Sequence, residues 1–363
     1  MTSYEQIMAV YRRQNTGVIP WAAYGGFLLP QGANERQLRN QGCGWIHWTP
    51  VCSWIAPGMS HMNGWMFEGE IKDTTTSVRF KWQDGHRIIV RQYDTPKGSV
   101  YEELHEEPGY HSLYVKKFLI EKPEDYAVVK FMIENTVLRE NYAGWSDSRD
   151  NLGTDGVELA VTDRSPFQKV LLELCGTERL YFDLFEIPDV VEDLLQALAR
   201  KELDAFRIVA DSPAEVVWMV ENVTGCITTP PMFEKYCVPF YNQVAALVHA
   251  RDKVLAAHFD GAMKPLKDLI ARTDIDVVES FSLREVGGDM TIEEAFAAWP
   301  NKAIVANIPA YFCQLDKKDI LRYLENFFSR LPSRNFMFEL SENFPLPELR
   351  RVLPIFAEFM NKQ

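Results

Sequence analysis

Eight residues of the kind that carry proton or metal chemistry recur in the last 150 residues, each closing a short apolar run: Glu221, Asn222, His258, Asp260, Glu279, Asn307, Glu339 and Glu342. The clearest case is Val254-Leu-Ala-Ala-His-Phe-Asp-Gly261, where small and apolar residues lead into a histidine, a carboxylate and a glycine. This is the pattern of a buried parallel strand that delivers polar side chains at its C-terminal end. On such a strand Val254, Ala256, His258 and Asp260 share one face. A histidine beside a carboxylate is either a mutually satisfied structural pair or the start of a site. Carboxylates gathered at an apolar mouth repel one another and raise at least one pKa. A divalent cation relieves that repulsion, and zinc accepts mixed imidazole and carboxylate ligands while keeping a position open for substrate.

The elements that position these residues repeat regularly. Strands are predicted over 18–23, 44–50, 156–163, 216–222, 254–261, 276–281, 303–309 and 336–342. Helices are predicted between them, among them 232–250, 264–271, 317–330 and 347–360. In the helix at 291–299, Thr291 caps the first turn and Glu294 completes a capping box. Eight strands alternating with helices is the count of an α/β (β/α)8 TIM barrel, in which the active site lies where the strands end. The whole chain, 1–363, reads as one such domain. Residues 66–104 break the alternation: Ser77–Trp82 and Arg87–Gln92 have period two, with Asp84-Gly85 between them, so an antiparallel hairpin insertion is expected there.

The chain has 363 residues, 47% hydrophobic and 25% charged, enough for a large core. A net charge of −13 argues against nucleic acid or an anionic membrane as partner. Six cysteines are scattered without a CxxC pair, so neither a disulfide framework nor a zinc ribbon is indicated. No basic-then-apolar leader and no run of about 20 apolar residues is present, which reads as a cytoplasmic protein. There is no P-loop, GxGxxG or GxSxG. Five of nine tryptophans, Trp21, Trp45, Trp48, Trp54 and Trp65, fall in the first 65 residues. They suit either core packing or an aromatic-walled pocket for a flat substrate.

The order of several short motifs resembles the uroporphyrinogen decarboxylase-like superfamily of TIM barrels: Thr229-Pro-Pro-Met-Phe-Glu-Lys-Tyr-Cys-Val-Pro239, then Val254–Gly261, Asp276-Val-Val-Glu-Ser-Phe281, Gly288-Asp-Met-Thr-Ile-Glu-Glu-Ala295 and Ser341-Glu-Asn-Phe-Pro345. The resemblance covers residues 150–360 well and the first third loosely. Its decarboxylase branch carries arginines after the first strand that grip a polycarboxylate. Here that stretch is Trp21-Ala-Ala-Tyr-Gly-Gly-Phe-Leu-Leu-Pro30, and the next arginine is Arg36. Without guanidinium forks such a substrate would be poorly held.

The corrinoid-dependent methyltransferase branch is similar in a different way. It binds zinc through a His-x-Cys pair after the fifth strand and a late cysteine. The matching positions here are His258-Phe259-Asp260 and Glu342, oxygen in place of sulfur, which leaves a harder Lewis acid suited to an oxygen-bearing substrate. The resemblance therefore implies an aryl methyl ether O-demethylase methyltransferase. It implies zinc held by His258 with two of Glu342, Glu221 and Glu279, and a corrinoid carried by a separate protein docked at the barrel mouth. His258 and Asp260 are then the catalytic pair, with Trp21, Tyr24, Trp48, Asn222 and Asn307 toward the methoxylated ring; a homodimer is left open. The alternatives are a tetrapyrrole decarboxylase, a methyltransferase acting between a methylcorrinoid and another small acceptor, and a non-catalytic barrel that binds a metal or a corrinoid partner.

Overall fold

The computed structural model describes residues 1–14, 17–25, 32–55, 57, 70–107, 113–331, 335–342 and 344–363. Fourteen strands are found among them: β1 (Trp21–Tyr24), β2 (Gly44–Pro50), β3 (Glu70–Ile71), β4 (Thr75–Gln83), β5 (His86–Thr95), β6 (Gly98–Glu106), β7 (Leu113–Lys117), β8 (Thr136–Val137), β9 (Gly156–Thr162), β10 (Val216–Met219), β11 (Val254–His258), β12 (Val277–Phe281), β13 (Ala303–Asn307) and β14 (Phe336–Leu340). Eight of these close into a barrel in the order β1-β14-β13-β12-β11-β10-β9-β2. All eight were expected from the sequence, so the (β/α)8 reading holds. The strands are short and apolar because both faces are covered: every residue of β10, β12, β13 and β14 is buried.

The chain forms two compact units, residues 1–49, 143–160 and 213–363, and residues 50–142 and 161–212. The first holds six barrel strands whole and most of β2 and β9. Around them run helices such as Val238–His249, Ile292–Ala298, Lys317–Arg330 and Leu346–Met360. Thr291 caps Ile292–Ala298, its hydroxyl accepting from the Glu294 amide while Glu294 accepts from the Thr291 amide, as the capping box requires.

The second unit contains the antiparallel insertion, which is larger than the expected 66–104. Its sheet has four strands, β4-β5-β6-β7, and reaches Lys117; β3 and β8 form a separate two-stranded ladder. Residues 66–69, and Trp65 before them, lie outside the described residues. The Asp84-Gly85 turn is present, with φ of 52° and 81°, the left-handed pair a two-residue hairpin needs. β7 escapes a period-two search because Leu113-Tyr-Val-Lys-Lys117 is only five residues long. Its neighbours Leu113 and Val115 complete a small core with Ile89 and Leu104.

Register places the polar strand ends together. His258 on β11 is the partner of Glu279 on β12, and Asn307 on β13 is the partner of Glu339 on β14. β12 carries an irregularity between Val278 and Phe281, and Ser280 there has φ of 58°. Strand alternation would send Glu279 and Ser280 to opposite faces. The bulge lets both turn to the interior, a device common beside functional sites.

Candidate active site

At the C-terminal end of β11 and β12 the His258 ring is held between two carboxylates. Its Nδ1 lies 2.7 Å from Glu279 Oε2, and its Nε2 lies 3.5 Å from Asp260 Oδ2. The His258 side chain is 12% exposed and that of Asp260 29%, while Glu279 is fully buried, so the ring is reached from the Asp260 side.

Glu279 is saturated. Trp218 Nε1 donates to its Oε2 at 2.7 Å, and the Tyr24 hydroxyl donates to its Oε1. Trp218 sits on β10 and Tyr24 on β1, so donors from both sides of the barrel converge on one carboxylate. Burial alone would raise the Glu279 pKa, but the His258 charge and hydrogen bonds from His258, Glu339 and Tyr24 outweigh it and hold the group below its ordinary value. For His258 burial favours the neutral ring; the charges of Glu279 and Asp260 outweigh that and push its pKa up to about 10. The ring is an imidazolium at neutral pH. Asp260 is held low by His258 against its own burial, with further help from Asn222, whose Nδ2 donates to Oδ2 at 3.0 Å.

Asn222 takes the positive φ of 50° that short amides tolerate, and its backbone amide donates to the His258 carbonyl at 3.0 Å. Behind it Gly261 packs so closely that a Cβ would meet the Val223 carbonyl at 2.6 Å and Thr224 Cβ at 2.5 Å. A glycine is therefore required to let the two loops touch and keep Asp260 beside Asn222.

Beneath Glu279 lies Glu339, fully buried beside it. Burial first, and the Glu279 charge second, raise its pKa well above the carboxylate range. Its neutral form is thereby favoured beside the charged Glu279. Next to it, Asn307 Nδ2 donates to the Ser280 carbonyl and hydroxyl at 3.1 Å and to Glu342 Oε1 at 3.3 Å, and Ser280 Oγ meets Ser341 Oγ at 2.9 Å. Burial and the charge of Asp260 raise the Glu342 pKa.

The aromatic wall is Tyr24, Trp48 and Trp218. Trp48 lies 4.8 Å from Tyr24 and 5.3 Å from Trp218 between ring centroids, and Trp218 meets His258 edge-on at 5.7 Å. Trp218 was not expected in the site. An indole N–H inside a buried strand must find an acceptor, and that signal points to it. Trp21, expected on this wall, is not part of it: strand alternation turns it outward, edge-on to Phe356 of Leu346–Met360 at 5.3 Å. Glu221 also turns away, accepting from the Tyr241 hydroxyl at 2.8 Å in the helical layer.

The expected zinc ligands are consequently not gathered. Glu221 faces the helices, and both Glu279 oxygens are occupied by donors. Among the described residues, no three His, Cys, Asp or Glu side chains are placed to hold a metal ion. The donor set does not fit zinc, and no step below runs through one.

The sequence matches uroporphyrinogen decarboxylase (URO-D) over residues 118–320, more than half of the chain. The chain belongs to the URO-D family. Among curated proteins no sequence matches it. Among solved structures it is similar to a methyltransferase from Methanosarcina mazei, at 10% identity over 99% of both chains with a TM-score of 0.59. It also overlaps a pneumococcal exo-beta-D-N-acetylglucosaminidase, at 9% identity over 94% of this chain and 84% of that one, with a TM-score of 0.40. At these identities the first likeness is one of fold, and the second is too loose to bear on the site.

Proposed function

We propose that this URO-D family barrel is a methyltransferase that moves the methyl group of an aryl methyl ether to a corrinoid carried by a separate protein. The observation that carries the reading is the His258 imidazolium clamped by Glu279 and Asp260 at the barrel mouth. A phenolate is a poor leaving group unless its oxygen is protonated as the C–O bond breaks. A phenol has an ordinary pKa near ~10, matching that of His258 at about 10, so proton transfer between them is nearly balanced.

The ring of the substrate lies against Trp48, the partly exposed member of the aromatic wall, with the ether oxygen toward His258 Nε2. A corrinoid presented by the partner protein would supply the nucleophile that accepts the methyl group. As the methyl–oxygen bond breaks, its electron pair stays on oxygen and the oxygen takes the Nε2 proton. Glu279, held by Trp218 and Tyr24, keeps the other ring proton on Nδ1 and fixes the ring plane. Asp260, partly exposed and oriented by Asn222, returns a proton to Nε2 from solvent.

The fold of the Methanosarcina mazei methyltransferase supports this reading, as does the absence of any Lys or Arg in residues 25–32 after β1. The test is to incubate the protein with a panel of methoxylated aromatics and reduced cobalamin on a corrinoid protein, following phenol release. Release of CO2 from uroporphyrinogen in place of phenol would identify a decarboxylase. Metal analysis of active protein reads zinc dependence directly: stoichiometric zinc whose removal abolishes transfer overturns the proton-based mechanism.

A further inference from the structure

Among the described residues around His258 the charges are one-sided. The segments from strand end to next helix after β1 (25–32), β10 (220–229), β11 (259–263), β13 (308–316) and β14 (341–345) contain no lysine or arginine. The segment after β12 has one, Arg284, paired with Glu294 at 2.8 Å, and the segment after β9 has one, Arg164, paired with the buried Glu173 at 2.8 Å. Against this stand Asp260 and Glu342, both at the open side of the site, and Glu279 behind them. The cation beside them is His258, and Glu279 and Asp260 already flank it. A carboxylate brought beside these side chains would lose water, meet no unpaired guanidinium or ammonium among the described residues of these segments, and face two like charges.

We infer that the site selects methyl donors without a negative charge: an aryl methyl ether bearing hydroxyl, alkyl or further methoxy groups, and not a methoxybenzoate. This rests on the methyl ether reading above. A like charge at ~6 Å and an effective dielectric of ~20 weakens binding by roughly a hundredfold. The rim side chains that set the preference are Asp260 and Glu342. Glu342 is the adjustable one, since its only hydrogen bond among those described is from Asn307.

The experiment compares 3-methoxybenzoate with its methyl ester, which has the same ring and no charge, by titration calorimetry on the whole protein. The ester should bind at least about tenfold more tightly, and Glu342→Gln should narrow that gap by strengthening the acid alone. Equal binding of acid and ester overturns the inference and leaves the methyl ether reading standing. A second measurement needs no substrate. Quenching of Trp48 fluorescence, taken as the difference from Trp48→Phe, is compared for caesium and iodide. Stronger quenching by caesium supports the negative mouth even if no ether binds, in which case only the methyl ether reading falls. Equal or stronger quenching by iodide overturns the inference.

Discussion

His258 and Glu279 are partners twice over: they stand opposite each other in the β11–β12 register, and their side chains meet at 2.7 Å through Nδ1 and Oε2. Backbone pairing fixes the separation of the two Cα atoms, and Trp218 and Tyr24 fix the carboxylate. The imidazole is therefore oriented before any substrate arrives. Replacing Glu279 by Gln keeps the shape and removes the charge. The His258 pKa should fall toward its ordinary range, and methyl transfer near pH 8 should drop about a hundredfold or more. The titration of the His258 ring by NMR checks the first, a rate assay the second.

The pH dependence follows from the sign of the same shift. His258 has a folded pKa of about 10, above its unfolded value. Its contribution to stability is complete below the unfolded pKa of ~6.5 and is lost as pH rises through 10. Activity that depends on the imidazolium should hold across neutral pH and decline between ~9 and ~10.5. A profile that already declines between pH 6 and 7 would show an ordinary, unclamped histidine.

Trp218→Phe retains the ring and deletes the N–H that donates to Glu279. A buried charged acceptor losing one donor costs about 1.5–3 kcal/mol. The variant should melt several degrees lower, and its His258 pKa should rise slightly, since Glu279 then leans more on the ring.

Trp21→Phe and Trp48→Ala separate the two tryptophans that the sequence does not distinguish. Trp21 packs on Phe356 and is 3% exposed, so Trp21→Phe should lower stability by about 1 kcal/mol with kcat and KM unchanged. Trp48→Ala should raise KM at least about tenfold through lost ring contact. A KM effect at Trp21 would contradict its outward orientation.

What the sequence made legible, and what it did not, divides along a physical line. Alternation and apolar runs located all eight barrel strands, because burial on both faces leaves that mark in composition. The same argument placed His258, Asp260, Glu279 and Asn307 at strand ends. Which way a side chain turns beyond the last paired residue is set by tertiary contacts. Glu221 goes to Tyr241 in the helical layer although Asn222, one residue on, goes to Asp260. The bulge at Ser280 is invisible in Val-Val-Glu-Ser-Phe, and with it the inward turn of both Glu279 and Ser280. Glu339 was legible as a strand-end carboxylate, but the upward shift of its pKa depends on how deeply it is buried beside Glu279.

Gly261→Ala tests the loop contact behind Asp260. The new methyl would meet backbone atoms of Val223 and Thr224, which cannot swing aside as a side-chain tip could. A loss of about 1–3 kcal/mol is expected, together with a weaker hold on Asp260 that shows as lower kcat at unchanged ring binding.

The central claim is tested most directly by following a 13C-labelled methyl group. A neutral aryl methyl ether such as 2-methoxyphenol, labelled in its methoxy carbon, is mixed with the protein and reduced cobalamin on a corrinoid protein, and the carbon is located by NMR. The account predicts that the label moves to cobalt with one equivalent of catechol released, and that His258→Gln slows this at least about a hundredfold while the protein stays folded. Retention of the label on the ether with wild-type protein, or an undiminished rate in His258→Gln, would contradict it.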